Sequence, residues 1–234
     1  MKSCTQYPII VIDDFLDDPD YVRDLALSVD YDPDTGGYYP GKRSDFIHNI
    51  DNRLFLHLGQ KLFSIFGRPP DSWVIEMQFQ KTPPQFPEDE FDIRNRGWAH
   101  RDCPRTYFGG VIYLNKNPDP NTGTNIYKCK NGFVQYLPNE GEIKRRFYKT
   151  TINGKSNDLL LDYDEYKKEY DKFHEQLTVS LKVDNYYNRL VLFGGETPHG
   201  ANSFGKEDRY TLVFFATDVG SGQSFDGHPP LCRI

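Results

Sequence analysis

The chain of 234 residues is short of cysteine and of long apolar runs. Its four cysteines, Cys4, Cys103, Cys129 and Cys232, are scattered without a CxxC spacing. This distribution argues against a disulfide scaffold or a zinc ribbon and fits a reducing compartment. No apolar stretch approaches the roughly 20 residues of a membrane helix, and no signal-peptide pattern precedes the first apolar run. We therefore expect a cytoplasmic protein with no membrane-spanning segment.

The chain also has fewer positively charged than negatively charged residues. The formal net charge is −6 and the isoelectric point is near 5.5. A general nucleic-acid binder needs a basic surface to neutralise phosphates, so nucleic acid is an unlikely partner. Aromatic residues are abundant instead, at 15% of the chain, which favours a β-rich protein over a helical bundle.

The length suits one large domain, and we find no internal repeat and no linker that would divide it. We predict an N-terminal strand with supporting helices in residues 1–71 and a β-rich core in 72–219. A helical insertion near 129–176 interrupts the core, and residues 220–234 form a tail. In the N-terminal part, the strand is expected at residues 7–12, and the helices at 17–29 and 50–66.

The core is predicted to begin with an alternating strand at residues 72–82. A second strand is expected at 107–114, with 122–128 as its partner across a turn-rich segment. A mostly solvated helix at 162–177 precedes a strand at 177–183. The long loops at 31–44, 83–97 and 129–160 are expected to form the mouth of a site.

Residues 188–215 have the pattern of a strand, a turn and a second strand, and they carry two polar residues that a hairpin does not need. His199 follows the Gly194-Gly195 break, and Arg209 opens the second apolar run. A neutral imidazole is a common metal ligand, and a guanidinium binds a carboxylate through two parallel hydrogen bonds. A buried arginine needs such a partner, either a dicarboxylic cosubstrate or a structural carboxylate near Asp208.

The segment His100-Arg101-Asp102 supplies further candidate ligands. In an extended chain, residues two apart share a face, so His100 and Asp102 can point to one place. With His199 they would form a 2-His-1-carboxylate triad, which leaves coordination positions open and is typical of non-haem Fe(II) oxygenases. Two alternatives remain: another metal enzyme, such as a cupin or a zinc hydrolase, and a catalytically silent jelly-roll module that binds a metal or a ligand.

The order of these motifs resembles the 2-oxoglutarate/Fe(II)-dependent dioxygenases, especially their prolyl-hydroxylase-like branch. The similarity rests on H-R-D at 100–102, V-I-Y-L-N at 111–115, R-L-V-L-F at 189–193, His199, and R-Y-T-L-V-F-F from Arg209. The N-terminal patterns FLDDPDYVRDLAL and YPGKRS resemble an uncharacterised group of such proteins from phages and marine bacteria.

The resemblance implies a mostly β fold, the double-stranded β-helix or jelly roll, with supporting helices. It implies Fe(II) bound by His100, Asp102 and His199, which would be the catalytic residues, with 2-oxoglutarate and O2 as cosubstrates. Arg209 and Tyr113 would hold the distal carboxylate of 2-oxoglutarate. Thr211 shares a face with Arg209 and is expected to line the same pocket.

The implied reaction is hydroxylation of a substrate C–H bond with release of succinate and CO2. Asp102 favours this outcome, because halogenases of the wider family have a small residue in place of the carboxylate. The substrate is not indicated: a prolyl or other protein side chain, a free amino acid, a small metabolite and a modified nucleotide all fit. No interface indicates an oligomer. His48, His57, His174 and His228 are assigned ordinary structural or solvated roles.

Overall fold

A computed structural model describes residues 8–33, 38–66, 74–84, 86, 89, 92–102, 106–130, 144–145, 148 and 163–218. The predicted tail at 220–234 and most of the 129–160 segment lie outside these residues. The described residues form two antiparallel sheets and four α-helices. None of these helices combines the length and apolar character that crossing a bilayer requires.

The strands, in chain order, are β1 (Ile10–Ile12), β2 (Asp32–Pro33), β3 (Lys42–Phe46), β4 (Val74–Thr82), β5 (Phe108–Tyr113), β6 (Thr124–Cys129), β7 (Leu177–Val183), β8 (Leu190–Gly194), β9 (His199–Ala201) and β10 (Arg209–Asp218). The helices are α1 (Pro19–Ser28), α2 (Ile47–Ile50), α3 (Asn52–Ser64) and α4 (Tyr163–His174), with 3-10 turns at Ile93–Asn95 and Pro120–Thr122.

Both predicted N-terminal helices are present, and each begins at an aspartate cap. The Asp18 carboxylate accepts a hydrogen bond from the backbone N–H of Tyr21 at 3.0 Å, and Pro19 occupies the first turn of α1. Asp51 caps α3 in the same way through the N–H groups of Arg53 and Leu54. The predicted start at residue 50 falls instead at the end of the separate one-turn helix α2.

The larger sheet has the strand order β1-β8-β5-β10-β4-β3-β2. Strand β5 lies between β8 and β10, so the predicted strand–turn–strand unit at 188–215 is wrong as a hairpin. The reason is that the connection is itself a strand: after β8 the chain crosses to the other sheet as β9 and then returns as β10. His199 therefore begins a strand of the smaller sheet, whereas Arg209 begins a strand of the larger sheet.

The smaller sheet has the order β7-β6-β9. The predicted pairing of 122–128 with the strand at 107–114 is wrong, because β6 pairs with β7 and β9. The turn-rich segment between β5 and β6 carries the chain from one sheet to the other instead of closing a tight hairpin. Successive strands that alternate between two facing sheets produce a double-stranded β-helix, and the predicted fold class is confirmed.

Residues 31–44 are not one long loop. Strands β2 and β3 pair with each other, and β3 extends the larger sheet beside β4, with Arg43 opposite Gln80. Gly41 permits this close approach: its φ is +78°, and a Cβ atom there would lie 2.2 Å from the carbonyl oxygen of Lys81. The extra strand adds a polar edge to the sheet beside the site described below.

Three clusters of buried residues support the described part of the fold, and two of them pack directly against the larger sheet. The larger cluster lies between the larger sheet and helices α1 to α3, and includes Leu58, Phe79 and Phe214. A smaller cluster fills the space between the two sheets: Tyr113, Ile126, Val183, Val191 and Phe193. Apolar packing thus holds the sheets face to face and leaves the polar site at one end of the space between them.

Helix α4 is present where it was predicted, but it is not mostly solvated. Tyr166, Tyr170 and Phe173 are buried on one side of it. All three rings contact the indole of Trp98, with ring centroids 5.5 to 6.0 Å apart. The apolar face of this charged helix therefore packs against the irregular segment that leads into His100.

Candidate metal and cosubstrate site

The two candidate histidine ligands are paired through their own backbones. The N–H of His100 donates to the carbonyl of His199 at 2.8 Å, and the N–H of His199 donates back at 2.9 Å. This antiparallel bridge joins the segment before β5 to strand β9. The centroids of the two imidazole rings lie 4.5 Å apart.

Each imidazole is oriented by a backbone carbonyl two residues before it. Nδ1 of His100 donates to the carbonyl of Trp98 at 2.9 Å, and Nδ1 of His199 donates to that of Thr197 at 2.8 Å. A carbonyl oxygen can only accept, so both Nδ1 atoms carry the proton. In a neutral imidazole with a proton on Nδ1, Nε2 keeps its lone pair, which is the tautomer that a metal ligand needs.

The Asp102 carboxylate completes the group. Its Oδ1 lies 3.7 Å from Nε2 of His199, and its side chain is 6% exposed. Its Oδ2 is buried and has no hydrogen-bond partner among the described residues. The three ligand atoms of His100, Asp102 and His199 all lie within 4.8 Å of one another.

Burial at this site favours the neutral form of the His100 imidazole. Burial holds the pKa of His100 well below its usual value, and the positive charge of Lys144 adds to that effect. Burial also raises the pKa of Asp102, while His199 and Lys144 act in the opposite direction. A buried carboxylate with an unsatisfied oxygen is costly unless a cation is bound beside it.

Arg209 is buried in the wall of the larger sheet, with 7% of its surface exposed. Its Nε donates to the carbonyl of Thr122 at 2.7 Å, and its guanidinium lies 5.3 Å from the centre of the Tyr113 ring. No described carboxylate forms an ion pair with it. Asp208, the candidate structural partner, pairs with Lys81 at 2.7 Å.

Tyr113 on β5 lies directly opposite Thr211 on β10. Thr211 is two residues from Arg209 on the same strand, so their side chains point to the same face of the sheet. The Tyr113 hydroxyl is bonded to that of Thr124 at 2.7 Å. The Thr211 hydroxyl is buried and has no hydrogen-bond partner within the described parts of the chain. The five candidate residues of the sequence analysis and Thr211 therefore occupy the same end of the fold.

A cavity of about 580 Å³ opens over these residues. The three candidate metal ligands and Arg209 line it, whereas Tyr113 and Thr211 are not among its lining residues. The three predicted mouth segments are all represented in its lining, by Tyr39, Gly97 and Tyr148. The cavity thus extends from the three converging candidate ligands to the buried side chain of Arg209.

Three residues near the cavity were not singled out as site residues. Arg43 and Lys144 line it, and both lie in segments that show no periodicity in the sequence. The ring of His174 accepts a hydrogen bond at Nε2 from the N–H of Ala99 at 3.1 Å and donates from Nδ1 to the carbonyl of Tyr170 at 2.8 Å. This histidine, expected to have an ordinary role, supports the backbone beside His100.

A family model described as a family of unknown function, DUF6445, matches residues 2–208. The chain belongs to this family. No curated protein matches the chain.

Solved structures resemble this DUF6445 protein in fold. HygX from Streptomyces hygroscopicus, crystallised with nickel and 2-oxoglutarate, superposes with a TM-score of 0.55 at 13% identity and covers 91% of this chain and 83% of its own. A prolyl hydroxylase from Trichoplax adhaerens, in complex with a hypoxia inducible factor peptide fragment, has a TM-score of 0.52 at 16% identity. The match covers 90% of this chain and 83% of the hydroxylase. A Burkholderia pseudomallei oxidoreductase of the 2OG-Fe(II) oxygenase family has a TM-score of 0.51 at 13% identity. The match covers 91% of this chain and 86% of the oxidoreductase.

The residues of the DUF6445 protein fit the binding of a divalent metal ion. Two lone pairs from Nε2 atoms and one carboxylate converge, and the unsatisfied Oδ2 of Asp102 provides further donor capacity. Two imidazoles and one carboxylate on one side of a cavity match the facial arrangement preferred by Fe(II). No cysteine of the described residues joins the group, whereas structural zinc sites are commonly built with thiolates.

Proposed function

We propose that this protein is an Fe(II)- and 2-oxoglutarate-dependent oxygenase that hydroxylates a C–H bond of its substrate and releases succinate and CO2. One observation carries the proposal: a convergent His-Asp-His group and a buried arginine share one cavity, and no described carboxylate pairs with that arginine. A metal alone would explain only the first of these two features.

In this proposal, His100, Asp102 and His199 hold the iron, and they are the catalytic residues. The backbone bridge between the two histidines presets the separation of their rings. The carbonyls of Trp98 and Thr197 fix the tautomers. Both imidazoles are thus positioned by the backbone before an ion binds.

Arg209 would hold the distal carboxylate of 2-oxoglutarate. Burial lowers the pKa of Arg209, but a guanidinium stays charged at any physiological pH. An anion that enters beside it therefore removes the cost of a desolvated, uncompensated charge. The Thr211 hydroxyl, buried without a partner among the described residues, can donate to the same carboxylate, and the Tyr113 hydroxyl lies on the neighbouring strand.

When bound, Fe(II) and 2-oxoglutarate supply, with O2, an oxidant strong enough to attack an unactivated C–H bond. The protein's own contribution is positioning. The apolar residues Val213, Phe193 and Phe215 line the cavity and limit the access of water to the metal ligands. Asp102 occupies the third ligand position with a carboxylate, which favours hydroxylation over halogenation.

The neighbours support the class of reaction and leave the substrate open. HygX has been crystallised with hygromycin B as well as with nickel and 2-oxoglutarate, and the Trichoplax enzyme with a peptide fragment. A peptide fragment and a small molecule thus both occur as ligands on this fold.

Anaerobic titration with Fe(II) and 2-oxoglutarate tests the proposal. We expect a weak visible absorption band from charge transfer between the metal and the chelated 2-oxo acid. Asp102→Ala should abolish the band, whereas Asp208→Asn, a change on a surface carboxylate, should leave it intact. A protein that binds neither iron nor 2-oxoglutarate would contradict the proposal and favour a silent jelly-roll module; tight zinc binding without 2-oxoglutarate binding would favour a zinc hydrolase.

A further inference from the structure

One peptide group joins the His100 imidazole to a second imidazole, that of His174. The carbonyl of Trp98 accepts a hydrogen bond from Nδ1 of His100 at 2.9 Å. The N–H of Ala99, which belongs to the same peptide group, donates to Nε2 of His174 at 3.1 Å. A peptide group is planar, so its carbonyl and its N–H keep a fixed relative direction. The position of the His174 ring therefore bears on the oxygen that orients His100.

The same chain of hydrogen bonds also carries polarisation. A peptide whose N–H is hydrogen-bonded offers a stronger acceptor at its carbonyl oxygen, because linked hydrogen bonds polarise one another. A stronger acceptor at Nδ1 of a metal-binding histidine fixes its ring and raises the basicity of its other nitrogen. His174 thus acts, through the peptide, on the Nε2 lone pair of His100.

His174 is held in place for this contact at the end of helix α4. Its Nδ1 donates to the carbonyl of Tyr170 at 2.8 Å, so Nε2 is left as the acceptor. Its ring stacks on that of Tyr170, with centroids 3.6 Å apart, and meets the Trp98 indole edge-on at 5.6 Å. Burial lowers the pKa of His174 to about 4, so the ring is neutral near pH 7. The acceptor is therefore organised in advance.

The peptide that supports His199 cannot make a connection of this kind. Nδ1 of His199 donates to the carbonyl of Thr197 at 2.8 Å. That carbonyl belongs to the peptide bond with Pro198, whose nitrogen carries no hydrogen. No acceptor can therefore bind at the nitrogen of this peptide group. The two proposed histidine ligands are oriented alike but differ in what lies beyond the carbonyl.

The packing of α4 does not by itself account for the His174 contact. Three other aromatic side chains of the helix, Tyr166, Tyr170 and Phe173, contact the Trp98 indole. An apolar residue at position 174 would extend this packing, whereas histidine adds an acceptor for one backbone N–H. An acceptor that only satisfied the Ala99 N–H would be structural. An effect on His100, and not on His199, distinguishes the two roles.

We propose that His174 is a positioning residue of the metal site, which orients and polarises the His100 imidazole through the Trp98–Ala99 peptide and so strengthens metal binding at that ligand. The inference rests on the part of the proposed function that makes His100 a metal ligand. It gives helix α4, which lies in the predicted insertion at 129–176, a part in metal binding.

Two substitutions at position 174 separate the acceptor from the packing. His174→Phe keeps a ring that can stack on Tyr170 but removes the acceptor, whereas the amide oxygen of His174→Gln can still accept from the Ala99 N–H. We expect His174→Phe to weaken Ni(II) binding about three- to tenfold, less than the loss of a direct partner of a ligand. His174→Gln should recover most of the affinity. Calorimetric titration measures both effects.

His57→Gln is the matched control. It makes the same change at an exposed histidine of α3, whose Nε2 lies 2.9 Å from the Asp17 carboxylate. This variant should bind Ni(II) as the native protein does.

Proton NMR of the Co(II)-loaded protein provides a readout that a purely structural role would not produce. Co(II) is paramagnetic and shifts the Nδ1–H signal of each imidazole bound to it, and these signals are recognised by their loss in D2O. Overhauser effects to protons of Trp98 or Thr197 assign them. In His174→Phe we expect the His100 signal to shift and to exchange faster with water, while the His199 signal stays in place. In His174→Gln the displaced signal should return toward its native position.

Displacement of both signals, or of neither, would overturn the inference, as would equal Ni(II) affinity of His174→Phe and the native protein. If circular dichroism shows that His174→Phe does not fold, His174→Leu replaces it with the same expectations. Failure of the native protein to bind Ni(II) or Co(II) contradicts the proposed function itself, and the inference falls with it. Native metal binding without a selective effect of position 174 on His100 contradicts the inference alone.

Discussion

Gly109 lies directly against the carboxylate of Asp102. A Cβ atom built on this glycine would be 2.7 Å from Oδ2 of Asp102, and its other nearest neighbours would be 3.3 Å away or more. The glycine belongs to β5, which starts a few residues after the His100–Asp102 segment. Strand β5 thus contacts one proposed metal ligand through Gly109 and carries Tyr113 at its other end.

Gly109→Ala should therefore impair metal binding while the fold is retained. The added methyl group must displace the Asp102 side chain, which can rotate, and not a backbone atom. We expect metal affinity to fall about tenfold or more, as for other changes beside metal ligands. Calorimetric titration with Ni(II) measures the effect, and circular dichroism verifies the fold.

The adjacent residue provides the contrast. A Cβ atom at Gly110 would lie 2.2 Å from the carbonyl oxygen of Val191, and this backbone atom cannot move aside cheaply. Gly110→Ala should lower the thermal unfolding temperature markedly, more than Gly109→Ala does. Equal loss of stability in the two variants would show that Gly109 is required for packing and not for the position of Asp102.

Arg209→Gln should weaken 2-oxoglutarate binding about 10- to 100-fold, the amount expected when a charged hydrogen bond to a carboxylate is lost. Iron binding should change little, because Arg209 is not among the three converging ligands. Separate titrations with the metal and with 2-oxoglutarate check this. Parallel loss of both affinities would mean that Arg209 supports the fold, and Arg209→Lys, which keeps the charge, should restore part of the 2-oxoglutarate affinity in the case we expect.

Thr211→Val should have effects of opposite sign on stability and on binding. The buried Thr211 hydroxyl has no hydrogen-bond partner among the described residues, so its replacement by a methyl group should stabilise the ligand-free protein by about 1 kcal/mol. The same change removes a donor to the proposed carboxylate and should weaken 2-oxoglutarate binding. Thermal unfolding with and without 2-oxoglutarate reveals both effects. Destabilisation of the ligand-free protein would contradict this role for Thr211.

His174 should make stability dependent on pH. Burial lowers the pKa of His174 to about 4, against about 6.5 in an unfolded chain. The unfolded state binds the proton more readily, so this contribution to stability is complete above pH 6.5 and is lost as the pH falls toward 4. Between pH 7 and pH 5 the free energy of unfolding should fall by up to about 2 kcal/mol more than in His174→Gln. Urea unfolding of both proteins at the two pH values measures the difference, and equal slopes would exclude the effect.

The proposed ligands could be predicted because they depend on short-range patterns. The spacing of His100 and Asp102, and the apolar runs before His199 and after Arg209, are visible in the sequence itself. Sheet membership depends on how turns cross the space between sheets, so the pairing of β6 was predicted wrongly. Strand β3 was missed because its residues, KRSDF, show no apolar alternation and follow a Gly- and Pro-rich stretch.

Helix α4 was predicted, but its buried face was not. That face is made of tyrosine and phenylalanine in a helix otherwise rich in charge, and tyrosine gives a weak apolar signal. Its target, Trp98, is distant in sequence. Arg43 and Lys144 were missed for the same reason: they line a shared cavity, and single-residue patterns carry no information about which distant side chains meet.

The backbone bridge between His100 and His199 has a consequence for how this fold can change over generations. The two main chains hold each other at that point whatever side chains they carry. Replacement of either imidazole would remove a proposed metal ligand and leave the strand pairing intact. A lineage can therefore lose its chemistry by a single substitution and keep the architecture, so in any relative of this chain the residues at these two positions, and not the overall shape, must decide whether it is an enzyme.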